Sequence, residues 1–94
     1  MSPRARRILI VDDNEAVLKA LVRHIARHAE AACAKSADEA LRMIGDLAFD
    51  VLVTDFEMAP GQDGVWLLEQ VRAHDTRIRR ILMSGRPAAT HGRA

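Results

Sequence analysis

The chain has few of the residues that cross-link or strongly anchor a small domain. Only one of its 94 residues is a cysteine, Cys33, which excludes an internal disulfide and a site built from several thiolates. We therefore expect Cys33 to be a small buried apolar residue. Aromatic residues make up 3% of the chain, and tyrosine is absent. The core must consequently be packed from aliphatic side chains.

The sequence also lacks a strong charge bias and a long apolar run. Its formal net charge is +1, so no overall field attracts nucleic acid, and its arginine clusters carry no interleaved aromatic residues. No apolar stretch is long enough to cross a bilayer, and the N-terminus has no signal-type apolar run. These features predict a cytoplasmic protein that binds neither nucleic acid nor membrane.

What the sequence does contain is an alternation of strand and helix patterns, with 49% hydrophobic residues. The apolar runs predict strands at 7–11, 31–35, 50–54 and 80–83. Between them, helices are predicted from Asn14 to about His28, from Ser36 with a capping-box glutamate at Glu39, and at 65–74. Their predicted inward faces include Val17, Leu18, Leu21, Val22 and Ile25, then Ala40, Leu41, Ile44 and Leu47, then Val65, Leu68 and Val71.

This alternation predicts an α/β fold with a parallel sheet and helices on both faces. In such sheets, ligands bind beyond the carboxyl ends of the strands. Asp12 and Asp13 follow the first strand, Asp55 the third, and Ser84 the fourth. Three carboxylates at one sheet edge suit Mg²⁺, which prefers oxygen ligands. The cation would relieve the repulsion between the acidic side chains, and it would allow a carboxylate to approach an anionic phosphoryl group.

Two other interpretations of the acidic residues stay open at this point. A single aspartate at a strand end is often only a loop or helix-capping residue. A hydrolase could use the same carboxylates with Mg²⁺, but the sequence offers no evident general base, because His24, His28 and His74 are predicted on helices. The combination of three acids with Ser84 favours a phosphoryl site over both.

Four segments resemble the receiver domains of response regulators in two-component signalling. ILIVDDNE is similar to the first strand with its acidic pair, VLVTDFEM to the third strand with the phosphoacceptor, QDGVWLLEQVR to the helix that follows, and RRILMSG to the fourth strand with its switch residue. The resemblance covers nearly the whole chain in register. It implies a flavodoxin-like, doubly wound sheet of strand order 2-1-3-4-5.

The resemblance also implies a role for each site residue. Asp55 would accept a phosphoryl group from a histidine kinase or phosphotransfer protein. Asp13 would ligate Mg²⁺ directly, Asp12 would act through water, and the backbone carbonyl of Glu57 would complete the metal ligands. Ser84 would hydrogen-bond the phosphoryl group. Apart from its own phosphorylation, the chain would not be an enzyme.

The departures from the family pattern concern the C-terminal side. We interpret residues 1–94 as one truncated receiver domain of about four strands and three helices, with a core at about 6–86, an irregular tail at 87–94 and no output domain. The family lysine of the fifth strand is missing, Lys19 and Lys35 are placed away from that role, and Arg86 is a candidate for its charge. An exposed fourth strand predicts a homodimer. The alternative function is a phosphorylation-independent interaction module with a vestigial acidic site.

Overall fold

The computed structural model describes residues 6–55 and 63–83. Within these residues the chain alternates strand and helix: β1 (Arg7–Val11), α1 (Glu15–Ile25), β2 (Glu30–Ala34), α2 (Ala37–Asp46), β3 (Val51–Asp55), α3 (Gly64–His74) and β4 (Arg79–Met83). The predicted architecture of four strands and three helices is confirmed for this part of the chain. The predicted tail at 87–94 lies outside the described residues.

The described strands form one parallel sheet in the order β2-β1-β3-β4. This is the order that the flavodoxin-like prediction requires of the first four strands. In the register, Val11 of β1 lies beside Ala34 of β2 and Thr54 of β3. The residues that follow these three positions therefore reach the same edge of the sheet, which is the carboxyl edge.

The main core fills the space between one face of the sheet and the helices α2 and α3. Leu9, Val11 and Leu52 are fully buried there, together with Leu67 and Val71 of α3. The side chain of Ile10 points to the other face of the sheet, because side chains alternate along a strand. Ile10 and Leu18 of α1 are also buried, but they do not belong to this cluster. The helices thus cover both faces of the sheet, as the doubly wound fold predicts.

The first helix is shorter than its sequence pattern predicts. It ends at Ile25, whereas we predicted about His28. The N–H groups of His28 and Ala29 both donate to the carbonyl oxygen of Ile25, which tightens the chain into a turn. This turn allows the N–H of Glu30 to donate to the carbonyl of Arg6, so pairing with β1 decides where the helix stops.

Helix α2 begins as predicted but ends before Leu47. Ser36 Oγ accepts from the N–H of Glu39, and the Glu39 carboxylate accepts from the N–H of Lys35, a capping box displaced by one residue. Leu47 is the extended C-cap residue and is 46% exposed, so its predicted place on the inner face is wrong. The prediction assumed helical spacing at Leu47, but this residue lies beyond the last helical residue, Asp46.

Two further burial predictions are wrong. Val65 is 40% exposed, because Leu67 and Val71 form the inner face of α3 and Val65 lies on another side of the helix. Cys33 is exposed rather than buried. It lies on β2, which pairs only with β1 among the described residues. Its side chain alternates with the buried Ala34 and so faces the α1 side of the sheet.

Candidate phosphoryl-transfer site

Three aspartates meet at the carboxyl edge, where β1 and β3 lie side by side. One carboxylate oxygen from each of Asp12, Asp13 and Asp55 can be chosen so that all three lie within 4.8 Å of one another. Asp12 and Asp55 follow the paired residues Val11 and Thr54, so the sheet register itself brings them level. The structure therefore brings together the acidic residues that the sequence selected.

Asp12 is the most tightly held of the three. It is buried, its N–H donates to the carbonyl oxygen of Ala34, and its Oδ1 accepts from the N–H of Asn14 at 2.8 Å. Asn14 in turn caps α1, because its Oδ1 accepts from the N–H groups of Ala16 and Val17. The carboxylate of Asp12 is thus fixed to the start of the helix. Sequence reasoning identified Asn14 as a cap but missed this second contact.

Asp13 and Asp55 are more open to solvent than Asp12. Asp13 is exposed and Asp55 is half-buried. The buried hydroxyl of Thr54 donates to the carbonyl oxygen of Asp55 at 3.1 Å, which adds a contact to the backbone at the end of β3. One buried and two accessible carboxylates give a cation an entrance from solvent. Three oxygen donors at this spacing fit a hard divalent cation such as Mg²⁺.

Gly64, the first residue of α3, lies against the end of β3 beside the acidic cluster. A Cβ atom added to Gly64 would overlap the carbonyl oxygen of Asp55 and would lie 3.1 Å from Leu82 Cδ1. Helix α3 therefore begins in contact with the end of β3, and Asp63 caps it by accepting from the N–H of Trp66. The sequence showed Gly64 only as a loop breaker; its position directly after a capping aspartate was the available signal.

Lys35 lies next to the second strand, as predicted, and at the side of the sheet away from β4. It follows Ala34 at the carboxyl end of β2, and its Nζ is 3.1 Å from Glu15 Oε2. The pKa of the Glu15 carboxyl is lowered, chiefly by this hydrogen bond and by the charge of Lys35, with a smaller contribution from Lys19. Glu15 therefore binds the start of α1 to the end of β2, beside the acidic cluster.

Three predicted site residues lie outside the described part of the chain. These are the predicted metal ligand Glu57, the phosphoryl-bonding Ser84 and the candidate cation Arg86. Among residues 6–55 and 63–83, no helix is long and apolar enough to cross a membrane.

Comparison with known proteins agrees with this arrangement. The family model described as response regulator receiver domain matches residues 8–93. A curated relative, regulatory protein AtoC of Escherichia coli strain K12, is 39% identical over 79 residues, which are 83% of this chain. The chain spans only 17% of the length of that relative.

Solved receiver structures resemble the fold closely. A response regulator receiver protein from Pseudomonas putida has a TM-score of 0.82 and 26% identity, covering 96% of this chain and 76% of its own. Response regulator TrrA of Thermotoga maritima, in complex with Mg(2+)-BeF, has a TM-score of 0.80 and 28% identity, covering 94% and 74%.

The chain belongs to the response regulator receiver domain family. Receiver domains are signalling modules of two-component systems rather than enzymes in the usual sense, as the sequence predicted for this chain. Members of the family bind Mg²⁺ at an acidic site, and this chain carries an acidic cluster at Asp12, Asp13 and Asp55.

Proposed function

We propose that this chain is a phosphoacceptor module that takes a phosphoryl group from a histidine kinase or phosphotransfer protein onto Asp55. The observation that supports this most directly is the convergence of the carboxylates of Asp12, Asp13 and Asp55 within 4.8 Å at the carboxyl edge. In the transfer, a carboxylate oxygen of Asp55 bonds to phosphorus while the bond from phosphorus to the donor imidazole breaks. We place the module in the cytoplasm, without a nucleic acid or membrane ligand.

The acidic cluster suits Mg²⁺ because its donors are carboxylate oxygens with open approach from solvent. Asp13 and Asp55 would hold the ion directly and Asp12 through water, with the backbone carbonyl of Glu57 as a further ligand. When bound, Mg²⁺ supplies charge neutralisation between the carboxylate and the phosphoryl oxygens. Ser84 would donate a hydrogen bond to the phosphoryl group, and Arg86 would add positive charge. The complex of TrrA with Mg(2+)-BeF supports this assignment by analogy.

The test is intact mass after incubation with acetyl phosphate, with Mg²⁺ or with excess chelator. We expect one added phosphoryl group in Mg²⁺, little addition in chelator, and none on Asp55→Asn. Asp38→Asn is the matched control, because Asp38 is an exposed aspartate at the start of α2, outside the cluster. Equal phosphorylation of Asp55→Asn and wild type would overturn the assignment of the acceptor.

A second candidate function is association of two copies, independent of phosphorylation. The observation that favours it is the exposure of β4, where Ile81 and Leu82 are 49% and 42% accessible although they lie on opposite faces of the strand. Among the described residues, β4 also pairs on one side only, with β3. Exposed apolar residues on an edge strand favour pairing with another chain. We therefore propose a homodimer in which β4 meets its symmetry mate.

Light scattering at tens of micromolar protein tests this association. We expect the mass of a dimer for the wild type and of a monomer for Ile81→Lys, which places a charge on the contact. Leu47→Lys is the matched control, because Leu47 is similarly exposed but lies at the end of α2. A wild-type chain that stays monomeric would end this second proposal without affecting the first.

A further inference from the structure

A groove lies between α1 and the edge strand β2, on the face of the sheet opposite the main core. Its volume is about 390 Å³, within the range of about 300–1,000 Å³ that is typical of small-ligand sites. The groove is separate from the acidic cluster, although it begins near the same end of α1. Its lining residues are Glu15, Leu18, Lys19, Val22, Arg23, Cys33 and Lys35.

The floor of the groove is apolar. Leu18 is buried and Val22 is half-buried, one helical turn apart on the same side of α1. Opposite them, the exposed side chain of Cys33 projects from β2 on the α1 side of the sheet. These side chains offer apolar contact but no strong hydrogen-bonding group. The floor therefore suits an aliphatic or aromatic body.

The rim of the groove is cationic. It carries Lys19, Arg23 and Lys35 against one acidic residue, Glu15. Glu15 contacts both lysines, with Nζ to carboxylate distances of 3.1 Å for Lys35 and 3.6 Å for Lys19. Arg23 makes no ion pair with any residue in the ranges 6–55 and 63–83. The rim thus has excess positive charge and a guanidinium that is available to a ligand.

We propose that this groove binds a small amphiphilic anion, a carboxylate with an aliphatic tail. The tail lies along Leu18, Val22 and Cys33. The carboxylate accepts hydrogen bonds from the guanidinium of Arg23 and the ammonium of Lys19, which suits the fork geometry of arginine. Charge complementarity and an apolar floor at one place select this ligand over an uncharged apolar molecule. The proposal does not depend on phosphorylation of Asp55.

Cys33 gives the experiment a built-in reporter, because it is the single cysteine of the chain. The rate of its alkylation by neutral iodoacetamide is followed by intact mass while decanoate is added below its micelle-forming concentration. We expect saturable protection of about fivefold or more, since a filled groove covers the thiol. Acetate, which has the charge without the tail, and decanol, which has the tail without the charge, should protect far less. Circular dichroism verifies that the fold is unchanged.

Two double variants distinguish the effect of the rim residues on decanoate binding from the effect of overall charge. Lys19→Gln/Arg23→Gln should raise the decanoate concentration for half-protection about tenfold, the effect of losing two exposed ion pairs. Arg27→Gln/Arg72→Gln removes the same charge outside the groove and should leave that concentration unchanged. The proposal is overturned if decanoate gives no protection, if decanol protects equally, or if both double variants shift alike. Protection by an acidic amphipathic peptide but not by decanoate would assign the groove to a protein partner instead.

Discussion

Gly64 lies so close to the backbone carbonyl of Asp55 that the glycine has no room for a side chain. A Cβ atom there would overlap the carbonyl oxygen and press on Leu82. The start of α3 is therefore packed against the backbone of the proposed phosphoacceptor. Any residue larger than glycine must move either the helix or the end of β3.

The first prediction concerns this contact. Gly64→Ala should lower the free energy of unfolding by about 1–3 kcal/mol, the usual cost of overpacking, because the nearest neighbour of the added methyl group is the backbone carbonyl of Asp55, which cannot rotate away as a side chain can. Gly45→Ala is the control: nothing lies within 4 Å of its added methyl group, and it sits within α2. That variant should be more stable than wild type by about 0.5–1 kcal/mol. Urea unfolding measures the stability of both variants. A Gly64→Ala variant as stable as wild type would contradict the close contact.

The second prediction tests which side of α3 faces the core. Leu67 is fully buried, so Leu67→Ala should cost about 2–5 kcal/mol through lost transfer energy and a cavity. Val65 is 40% exposed on the same helix, so Val65→Ala should change stability by about 0.5 kcal/mol or less. Denaturant midpoints at constant m-value provide the comparison. The reverse order of these two effects would mean that the helix is rotated.

The third prediction concerns pH and the end of α3. The hydrogen bonds from the Arg77 side chain, followed by that from its backbone N–H, lower the pKa of Asp75. A carboxyl whose pKa falls on folding stabilises the folded state above its unfolded pKa, and this contribution is lost as the pH falls through the folded pKa. The difference in free energy of unfolding between wild type and Asp75→Asn should be present at pH 7 and should decrease below about pH 4.

Arg77→Gln provides the background for this test. In that variant, Asp75 keeps the backbone hydrogen bond but loses the guanidinium, so the effect of Asp75→Asn and its pH dependence should both decrease. Urea midpoints at several pH values between 7 and 3 measure the change. An unaltered pH dependence in the Arg77→Gln background would show that another group causes it.

The fourth prediction concerns the acidic cluster without any phosphodonor. An ion that binds only the folded state should raise its stability by about 1.4 kcal/mol at ten times the dissociation constant. For a domain of this size, that corresponds to a rise of about 5 °C or more in the melting temperature. We expect Mg²⁺ to produce this rise in wild type and in Asp38→Asn, but not in Asp13→Asn. Potassium chloride at matched ionic strength controls for screening, and an equal rise in Asp13→Asn would contradict the assigned site.

Much of the fold follows from local signals in the sequence. Apolar runs in the sequence predict β1, β3 and β4, and the caps Asn14 and Ser36 predict where α1 and α2 begin. Both cap side chains accept hydrogen bonds from N–H groups in the first turn of their helix. The alternation of strands and helices then leaves few parallel topologies. For the same reason the acidic cluster could be predicted, because the sheet register places the ends of β1 and β3 side by side.

The features that could not be predicted depend on contacts distant in sequence. Helix α1 stops at Ile25 because Glu30 must pair with β1, and the helical pattern beyond Ile25 carries no sign of that demand. Cys33 is exposed because β2 pairs on one side only among the described residues, although its residue type favours burial. The contact of Lys35 with Glu15 links side chains twenty positions apart, which no local pattern specifies.

The most direct test of the central claim is to locate the phosphoryl group chemically. After reaction with acetyl phosphate and Mg²⁺, borohydride reduces an acyl phosphate at aspartate to homoserine, and peptide mass spectrometry identifies the residue. We predict homoserine at position 55 alone, absent when chelator replaces Mg²⁺. Homoserine at position 12 or 13, or at no position in a chain that has gained a phosphoryl group, would contradict the account.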